Sequence, residues 1–423
     1  MAYRLFLLFI STLYLAGCSP VKKALNEVAD QYHYHVGFYL YDPATKKELL
    51  NINGNKYFTP ASNTKVYTLY SVIHALPDSI PAFRYVVTDT VVYVWGLADP
   101  SFLNPLLPQG KTYSFLTQST KISLSNSHFY DDRFGPGWAW DDYLGDYSQE
   151  KTSFPVYGNS IVFNIDSISK QTRIEPAIFS DSVTIKQAEK YRVWRAELSN
   201  RFEWDTAACL DCERIRPIHF SEPTLQRLLE DTLKIPVVVN NLPLPDSAQT
   251  FYSIPTDSVL KVMMQDSDNF MAEHLLLSCA AKLTDSLSSQ VAIEHLSKKI
   301  NTFLPDPIVW KDGSGLSRYN LFTPRDMVFM WNELFNELGR ERLLALIAGG
   351  GKSGTLEEWF AADEPYVFGK SGTLSNNYSL SGFLITKSGK RLIFAYMNNN
   401  YPVKAVDIKK EMEVVLRKVY EKY

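Results

Sequence analysis

Three short polar motifs lie far apart along this 423-residue chain, and their separation limits how the chain can fold. The motifs are S-x-x-K at 62–65, S-x-N at 267–269 and K-S-G at 370–372, and Ser267 follows Ser62 by 205 positions. A chain of this length exceeds one ordinary hydrophobic core and is expected to form two or three domains. If the motifs share one site, the first and last parts of the chain form one domain, and the middle is an insertion.

Local context decides which copy of the first motif is significant. S-x-x-K occurs five times, but only the copy at Ser62 starts a convincing helix, which the apolar spacing from Val66 predicts. One helical turn would bring Lys65 beside the hydroxyl of Ser62, and the helix N-terminus favours negative charge there. S-x-N at Ser267 lies just inside a second helical run. The order and contexts of the motifs therefore agree.

The third motif belongs to a pentapeptide, K-S-G-T-L, that occurs twice, at 352–356 and 370–374. Neither copy is a P-loop, because the first glycine that such a loop requires would fall at Leu346 or at Glu364. The second copy leads into a predicted C-terminal hairpin. A lysine on a strand, followed by a glycine that allows close approach, suits a substrate-binding edge strand.

The first copy has different flanks. It follows an apolar helical run that ends in three glycines, Gly349 to Gly351, and glycine commonly terminates helices. Thr355 and Glu358 then form a capping-box pattern, which predicts a new helix. We therefore expect this copy to be a helix–loop–helix connector with a solvated Lys352.

The order S-x-x-K, S-x-N, K-[ST]-G is typical of penicillin-recognising serine acyl-transferases. The chain resembles the low-molecular-mass penicillin-binding proteins that act as D-alanyl-D-alanine carboxypeptidases and endopeptidases, in the branch with a large insertion between S-x-x-K and S-x-N. Further phrases match this branch: GLADPSF (96–102), PGWAWDD (136–142) and DGSGLSRYNLFTP (312–324). The resemblance covers essentially the whole mature chain. K-S-G replaces the usual K-T-G, but serine keeps the hydroxyl, so we expect activity to persist.

The resemblance implies an α+β fold: a serine β-lactamase/DD-peptidase-like transpeptidase domain, with an antiparallel sheet and helices, interrupted by a β-rich inserted module. We expect residues 18–80 and 256–423 to form the catalytic domain. Residues 81–255 would form the inserted module, which could divide into two subdomains. Residues 1–17 are expected to be a lipoprotein signal peptide.

The resemblance also implies catalytic roles. Ser62 would attack the carbonyl between two terminal D-alanines and form an acyl-enzyme. Lys65, if held neutral by its cationic neighbour Lys370, would take the serine proton, because burial and like charge both lower the pKa of a lysine. Ser267 would relay a proton to the leaving amine, and Asn269 would hold the substrate amide. No metal or organic cofactor is required.

Binding roles follow from the same resemblance. Lys370 and the hydroxyls of Ser371 and Thr373 would receive the terminal carboxylate, and Gly372 lies between them on the strand. The backbone N–H groups of Ser62 and Thr373 would form the oxyanion hole. An acidic residue of the insertion, Asp141 or Asp142, would read the free amine of the diamino acid side chain. The alternative for these two residues is a capped loop packed on aromatic rings. Asp312 and Ser314 are better interpreted as a structural turn than as cleft residues.

The N-terminus predicts export. One arginine, a short apolar run and Leu15-Ala16-Gly17-Cys18 resemble a bacterial lipobox, in which the chain is cleaved before a cysteine that then carries lipid. A plain signal peptide or an anchor helix is the alternative. Ser19 would permit outer-membrane sorting, so a periplasmic lipoprotein, anchored to the outer membrane through Cys18, is expected.

The other cysteines do not indicate a metal site. Cys209 and Cys212 could form a disulfide, which an exported location permits, or remain inert thiols. A zinc site would need two further ligands, and His219 supplies only one. Cys279 lies in an apolar helical run and is expected in the core.

Charge and motifs limit the partners. The net charge of −3 argues against a general nucleic-acid binder. The expected partners are peptidoglycan stem peptides, with β-lactam antibiotics as inhibitors. A β-lactamase and a non-catalytic cell-wall-binding lipoprotein remain the rival functions.

Overall fold

The structure is a computed structural model that describes residues 20–166, 168–169, 171–187, 190–206 and 212–423. Its α-helices in these ranges are α1 Pro20–Tyr32, α2 Lys65–Ala75, α3 Thr112–Leu116, α4 Glu222–Leu233, α5 Thr256–Gln265, α6 Asn269–Thr284, α7 Ser289–Ile300, α8 Pro324–Leu346 and α9 Ala405–Lys422. Its strands are β1 His35–Asp42, β2 Lys47–Ile52, β3 Ser79–Val87, β4 Val92–Gly96, β5 Ile122–Ser125, β6 Ser160–Ile165, β7 Thr172–Glu175, β8 Val183–Lys186, β9 Arg192–Arg195, β10 Phe202–Asp205, β11 Glu213–Pro217, β12 Val237–Asn240, β13 Gln249–Pro255, β14 Ala348–Gly349, β15 Val367–Leu374, β16 Asn377–Ile385 and β17 Arg391–Asn399.

A six-stranded antiparallel sheet joins the two ends of the described chain. Its order is β14-β15-β16-β17-β1-β2, so the N-terminal hairpin pairs with the C-terminal strands. His35 of β1 lies opposite Asn399 of β17, more than 360 positions later. The sheet therefore brings the first and third motifs into one unit.

Both faces of this sheet are covered by helices. Helices α1 and α9 pack on one face, and α2 and α5 to α8 contribute to the core on the other. Strand β17 shows that both faces of the sheet are apolar. Successive side chains of a strand point to opposite faces, so alternate residues of β17 enter opposite cores. Those of one core are Ile393, Ala395 and Met397, and those of the other are Leu392, Phe394 and Tyr396.

The inserted segment has its own core and its own sheets. A five-stranded sheet has the order β12-β5-β4-β3-β13, with parallel pairs at β4–β5 and β5–β12. Two three-stranded sheets follow, β8-β10-β9 and β11-β6-β7. Their apolar side chains form a separate cluster around Phe83, Phe163 and Trp204. The predicted combination of an α+β domain with a β-rich insertion is confirmed, whereas the boundaries drawn at 80 and 256 stay predictions.

Predicted elements with strong local signals match the structure. The two strand-like runs within residues 34–53 predict a hairpin, which is β1 and β2, and the helical pattern at 222–233 predicts α4 with the same bounds. Ser221 caps that helix, because its hydroxyl accepts a hydrogen bond from the backbone of Thr224. The sequence predicts a helix over 325–338, and the structure agrees: the backbone of Gly339 is not helical (φ +72°, ψ +170°), and a second helical segment then continues to Leu346.

Several predictions concern segments that are only partly described. Cys18, its lipobox and Cys209 lie outside the described residues, and Cys212 is disulfide-bonded. Cys279 is a free, fully buried thiol on α6, as expected. Among the described helices, none combines the length and apolar character that crossing a membrane requires.

Candidate active site

The first motif occupies a short 3₁₀ turn, Ala61–Thr64, that leads directly into α2. Lys65 is fully buried, and its Nζ donates a hydrogen bond to Oγ of Ser62 at 3.1 Å. Ala61 has a φ of +51°, a conformation that residues with a side chain adopt only under constraint. The carbonyl of Ala61 packs against Gly315 so closely that no Cβ would fit there. The nucleophile turn is therefore held by the backbone around it.

Asn63, the second residue of the motif, fastens this turn to the sheet. Its Oδ1 accepts a hydrogen bond from Oγ of Ser381 on β16 at 2.5 Å, and that hydroxyl accepts from Nε1 of Trp331 on α8 at 2.8 Å. All three side chains are buried. The chain of hydrogen bonds fixes the turn relative to β16, the strand that pairs with the one carrying the third motif.

The second motif lies between α5 and α6. Ser267 has a φ of +65°, and Asp268 caps α6 by accepting a hydrogen bond from the backbone N–H of Met271 at 2.7 Å. The Oδ1 of Asn269 accepts from Nζ of Lys65 at 2.5 Å. Its Nδ2 donates to the carbonyl of Tyr147 at 2.9 Å, so the inserted module reaches this motif.

The third motif lies on β15, which pairs with β16 through Lys370 opposite Ser381. The buried Nζ of Lys370 donates to Oγ of Ser267 at 2.8 Å and to the carbonyl of Ser371 at 2.7 Å. Gly372 faces the nucleophile turn, where a Cβ would lie 2.6 Å from the backbone N of Ser62. Only glycine allows the strand and the turn to approach this closely.

Burial lowers the pKa of both lysines. The pKa of Lys65 falls to about 8, mainly because the ammonium loses its hydration, while the nearby carboxylates of Asp268, Asp312 and Glu273 oppose the shift. The pKa of Lys370 lies well below its usual value, again through burial first and then through the charge of Lys65. Of the two causes expected for the low pKa of Lys65, burial is the main one, and the charge of Lys370 is not among the contributions. The low-dielectric surroundings act on both groups, and the charge of Lys65 acts on Lys370.

The three motifs line one cleft of about 600 Å³. One wall is a 3₁₀ turn of the inserted module, Trp140–Leu144, which places Asp141 and Asp142 at the cleft. Asp141 is exposed, and Oδ1 of Asp142 accepts a hydrogen bond from the Tyr147 hydroxyl at 2.7 Å. Thr373, on β15, is exposed and also lines the cleft. The structure thus brings together all ten residues predicted for catalysis and substrate binding.

Asp312 organises the loop behind Lys65, as a structural turn should. Its buried carboxylate accepts hydrogen bonds from Nε1 of Trp138 at 2.9 Å, from the backbone N–H groups of Gly315 at 2.9 Å and Ser317 at 2.6 Å, and from the Asn320 amide at 2.7 Å. The loop presents the carbonyl of Ser314 to Nζ of Lys65 at 2.7 Å. The structural interpretation of Asp312 is confirmed, whereas Ser314 contacts Lys65 through its main chain.

The loop is also held from α6. Oε1 of Glu273 accepts a hydrogen bond from the backbone N–H of Ser314 at 2.8 Å. Burial, together with the carboxylate of Asp312, raises the pKa of Glu273 to about 7. Glu273 therefore helps to fix the peptide whose carbonyl receives Lys65.

The first K-S-G-T-L copy differs from its prediction. Gly349 pairs in the sheet as part of β14, and the residues after it form a 3₁₀ turn, Gly354–Leu356, rather than a helix. The capping-box pattern of Thr355 fails because the hydroxyl of Thr355 is used elsewhere: it accepts a hydrogen bond from Oγ of Ser371 at 2.6 Å. Lys352 is exposed, as expected.

Tyr147, Arg318 and Thr355 are among the cleft residues that sequence reasoning missed. Arg318 donates to the carbonyl of Ser375 at 3.3 Å, and it lies within the phrase at 312–324 that carried part of the resemblance. Thr355 was visible only as part of the doubled pentapeptide. No local pattern marked Tyr147, because it reaches the site through the tertiary placement of the insertion.

Comparison with known sequences agrees with the geometry. The D-Ala-D-Ala carboxypeptidase 3 (S13) family matches residues 227–419, and the β-lactamase enzyme family matches residues 20–78. D-alanyl-D-alanine carboxypeptidase DacB of Haemophilus influenzae is 23% identical over 87% of this chain and 86% of its own length. D-alanyl-D-alanine carboxypeptidase of an Actinomadura strain is 24% identical over 86% of this chain and 78% of its own length.

Solved structures show the same fold. Penicillin-binding protein 4 of Haemophilus influenzae has a TM-score of 0.77 at 20% identity, covering 94% of this chain and 98% of its own. The predatory peptidoglycan endopeptidase Bd3459 of Bdellovibrio bacteriovorus has a TM-score of 0.50 at 17% identity, covering 92% and 94%. The chain is therefore similar to the S13 D-Ala-D-Ala carboxypeptidases over residues 227–419, and it has the fold of penicillin-binding protein 4.

Proposed function

We propose that the protein is a serine DD-peptidase that cleaves the terminal D-Ala-D-Ala bond of peptidoglycan stem peptides through an acyl-enzyme. One observation carries the proposal: Ser62 bonds to the buried Lys65, and Ser267 bonds to the buried Lys370, within a single cleft. A buried lysine with a pKa near 8 can exist as the free amine close to neutral pH. Such an amine can accept the proton of a serine that attacks a carbonyl.

The reaction starts at Ser62. Its Oγ forms a bond to the carbonyl carbon of the penultimate D-alanine while its proton passes to Nζ of Lys65. The oxyanion lies between the backbone N–H groups of Ser62 and Thr373, an arrangement that contributes roughly 3–4 kcal/mol per donor. When the C–N bond breaks, Ser267 delivers a proton to the departing D-alanine amine. Water then hydrolyses the ester and restores Ser62.

Substrate binding uses the same strand. The terminal carboxylate lies against Lys370 and the hydroxyls of Ser371 and Thr373. Burial and the charge of Lys65 depress the pKa of Lys370, and an arriving carboxylate raises it, because an opposite charge favours the ammonium. Charge on Lys370 is thus coupled to occupation of the cleft.

Fluorescent penicillin tests the acyl-enzyme. The wild-type protein should give a long-lived label on a denaturing gel, and Ser62→Ala should give none. A label that disappears within seconds supports a β-lactamase instead. No label on the wild-type protein leaves only a non-catalytic cell-wall-binding function.

The choice between the two K-S-G-T-L copies has its own matched pair. Lys370→Ala should abolish labelling, because it removes the buried partner of Ser267. Lys352→Ala should leave labelling intact, because Lys352 is exposed in the other copy. Equal loss in both variants would contradict the assignment of the second copy to the site.

Asp141 and Asp142 are proposed to read the amine of the diamino acid. Both line the cleft on the turn Trp140–Leu144, where a substrate ammonium could meet a carboxylate. Asp141→Asn and Asp142→Asn should be compared on a stem peptide with a free side-chain amine and on its N-acetylated form. Selective loss with the free amine in either variant supports the role, and equal effects on both peptides contradict it.

Cleavage of D-Ala-diamino acid crosslinks is proposed as a second reaction of the same site. The solved neighbour Bd3459 is a peptidoglycan endopeptidase. In this chain, the turn that carries Asp141 and Asp142 borders the cleft, where it could hold the diamino acid of a crosslink. Incubation with purified crosslinked dimers and with pentapeptide monomers, followed by chromatography, measures both activities. Release of D-alanine with no change in the dimers would limit the enzyme to carboxypeptidase action.

Anchoring is proposed from the sequence alone. An exported protein that acts on the cell wall would be held at the membrane, through lipid on Cys18, with the outer membrane as its expected location. Cys18→Ser should move the protein from the membrane fraction to the soluble periplasmic fraction. Unchanged fractionation of the variant would contradict lipid attachment at this cysteine.

A further inference from the structure

Thr355, in the first K-S-G-T-L copy, reaches the strand that carries the second. Its Oγ1 accepts a hydrogen bond of 2.6 Å from Oγ of Ser371, and both residues line the cleft. Ser371 is almost fully buried, and Thr355 is half-buried. The contact therefore lies at the part of the cleft where the substrate carboxylate is proposed to bind.

The turn that presents Thr355 is fixed on two sides. Gly354 has a φ of +58° and packs against the carbonyl of Gln265 with no room for a Cβ. Gln265 ends α5, two residues before Ser267, and its amide donates to the carbonyl of Ala345 at 3.1 Å. The buried side chain of Leu356 anchors the other end of the turn. Thr355 is thus placed by rigid backbone and not by a mobile loop.

Because position 371 is a serine, the orientation of its hydroxyl depends on its hydrogen-bond partner. A threonine there would be restricted about χ1, because two heavy atoms on Cβ limit its rotamers on a strand. Serine has no such restriction, so its hydroxyl can turn away from a ligand. Serine lacks the methyl group that would restrict χ1 in a threonine. A partner that hydrogen-bonds to the serine hydroxyl can restrict its orientation instead.

We propose that Thr355 is a positioning residue of the carboxylate subsite, acting through Ser371; this rests on the proposed DD-peptidase function. The Ser371 hydroxyl donates to Thr355. When a carboxylate binds, the Ser371 hydroxyl turns to donate to it, and the Thr355 hydroxyl donates to Oγ of Ser371. Hydrogen bonds in such a chain polarise and strengthen one another.

Two thioester substrates separate this role from a structural one. One has a thioglycolate leaving group with a free carboxylate, and the other is its methyl ester. Thr355→Val keeps the shape and removes the hydroxyl. It should lower kcat/KM for the carboxylate substrate about fivefold to tenfold, mainly through KM, which is the effect of one lost hydrogen bond. The methyl ester should change less than twofold, and Thr355→Ser should restore the carboxylate preference.

A double-mutant cycle tests whether Thr355 acts through Ser371. In a Ser371→Ala background, Thr355→Val should have no further effect on the carboxylate substrate, because its partner is absent. If Thr355→Val causes its full loss of activity in the Ser371→Ala background as well, the proposal is overturned. Equal losses with both thioesters in Thr355→Val would also overturn it, and so would a failure of Thr355→Ser to restore the carboxylate preference. Lys352→Ala, in the same copy, is the matched control. A wild-type protein that neither turns over a thioester nor binds penicillin would refute the DD-peptidase function itself, which is a different result.

Discussion

Gly372→Ala tests how closely the third motif must approach the nucleophile. A Cβ at 372 would lie 2.6 Å from the backbone N of Ser62, 2.8 Å from the carbonyl O of Pro60 and 2.9 Å from the backbone N of Asn63. These are main-chain atoms of a constrained turn, so no flexible side chain can move aside. Ordinary van der Waals contact begins at 3.4 Å, and reaching it requires a displacement of about 0.8 Å between strand and turn.

A displacement of this size should lower the rate of acylation. The backbone N–H groups of Ser62 and Thr373 are proposed to share one oxyanion, and they lie on the two segments that separate. A misplacement of 1 Å can reduce a rate about 10²-fold. Loss of one oxyanion donor costs about 10²- to 10³-fold. We therefore expect Gly372→Ala to slow acylation by at least about 10²-fold.

The assay is the rate of acylation by fluorescent penicillin, measured with thermal unfolding of the same preparations. Gly349→Ala is the matched control, because a Cβ there meets its nearest atom, on Phe368, at an acceptable 3.5 Å. Gly349 lies in β14 of the same sheet, so the control also tests general damage to that sheet. Acylation of Gly372→Ala at the wild-type rate would refute the argument that this approach is essential.

Two further predictions follow from buried charges. Burial lowers the pKa of Lys65 to about 8, and only its free amine can accept a proton. The acylation rate should therefore rise about tenfold per pH unit below pH 8 and level off above it. A rate that stays constant from about pH 6 to about pH 9 would contradict Lys65 as the base. Asp312→Asn should lower the free energy of unfolding by about 3 kcal/mol, since a buried carboxylate that accepts several hydrogen bonds loses its charge. Asp257→Asn, which removes only an exposed ion pair with Arg342, should cost less than about 1 kcal/mol, and equal losses in chemical denaturation would show that the Asp312 network contributes little.

Local patterns predicted the elements that carry the motifs. The hairpin β1–β2, helix α4 and the strand around Lys370 all have side-chain periods that a short window can show. The helix expected after Thr355 was wrong, because a capping-box pattern competes with tertiary hydrogen bonds. There the hydroxyl of Ser371 uses the oxygen that a helix cap would need.

The sequence could not show which of the two expected causes dominates the lysine pKa shifts either. The resemblance implied that Lys65 and Lys370 would be neighbours, and burial and like charge were both expected to lower the pKa of Lys65. The depressed pKa of Lys65 comes first from burial, which depends on the packing of α2, α6 and the loop around Asp312. Burial is a property of segments that are remote in the chain, so no local pattern contains it.

The sequence by itself determined the order of the three motifs, the type of element that presents each one and the presence of an insertion. These depend on residue chemistry within a few positions, where backbone geometry sets which side chains are neighbours. Only the tertiary structure decided that Tyr147 of the insertion bonds to Asn269, and that Thr355 of the first K-S-G-T-L copy bonds to Ser371 of the second. The reason is physical: these contacts arise when the sheet and the inserted module bury their apolar faces, and that burial brings together residues whose distance in the sequence carries no signal.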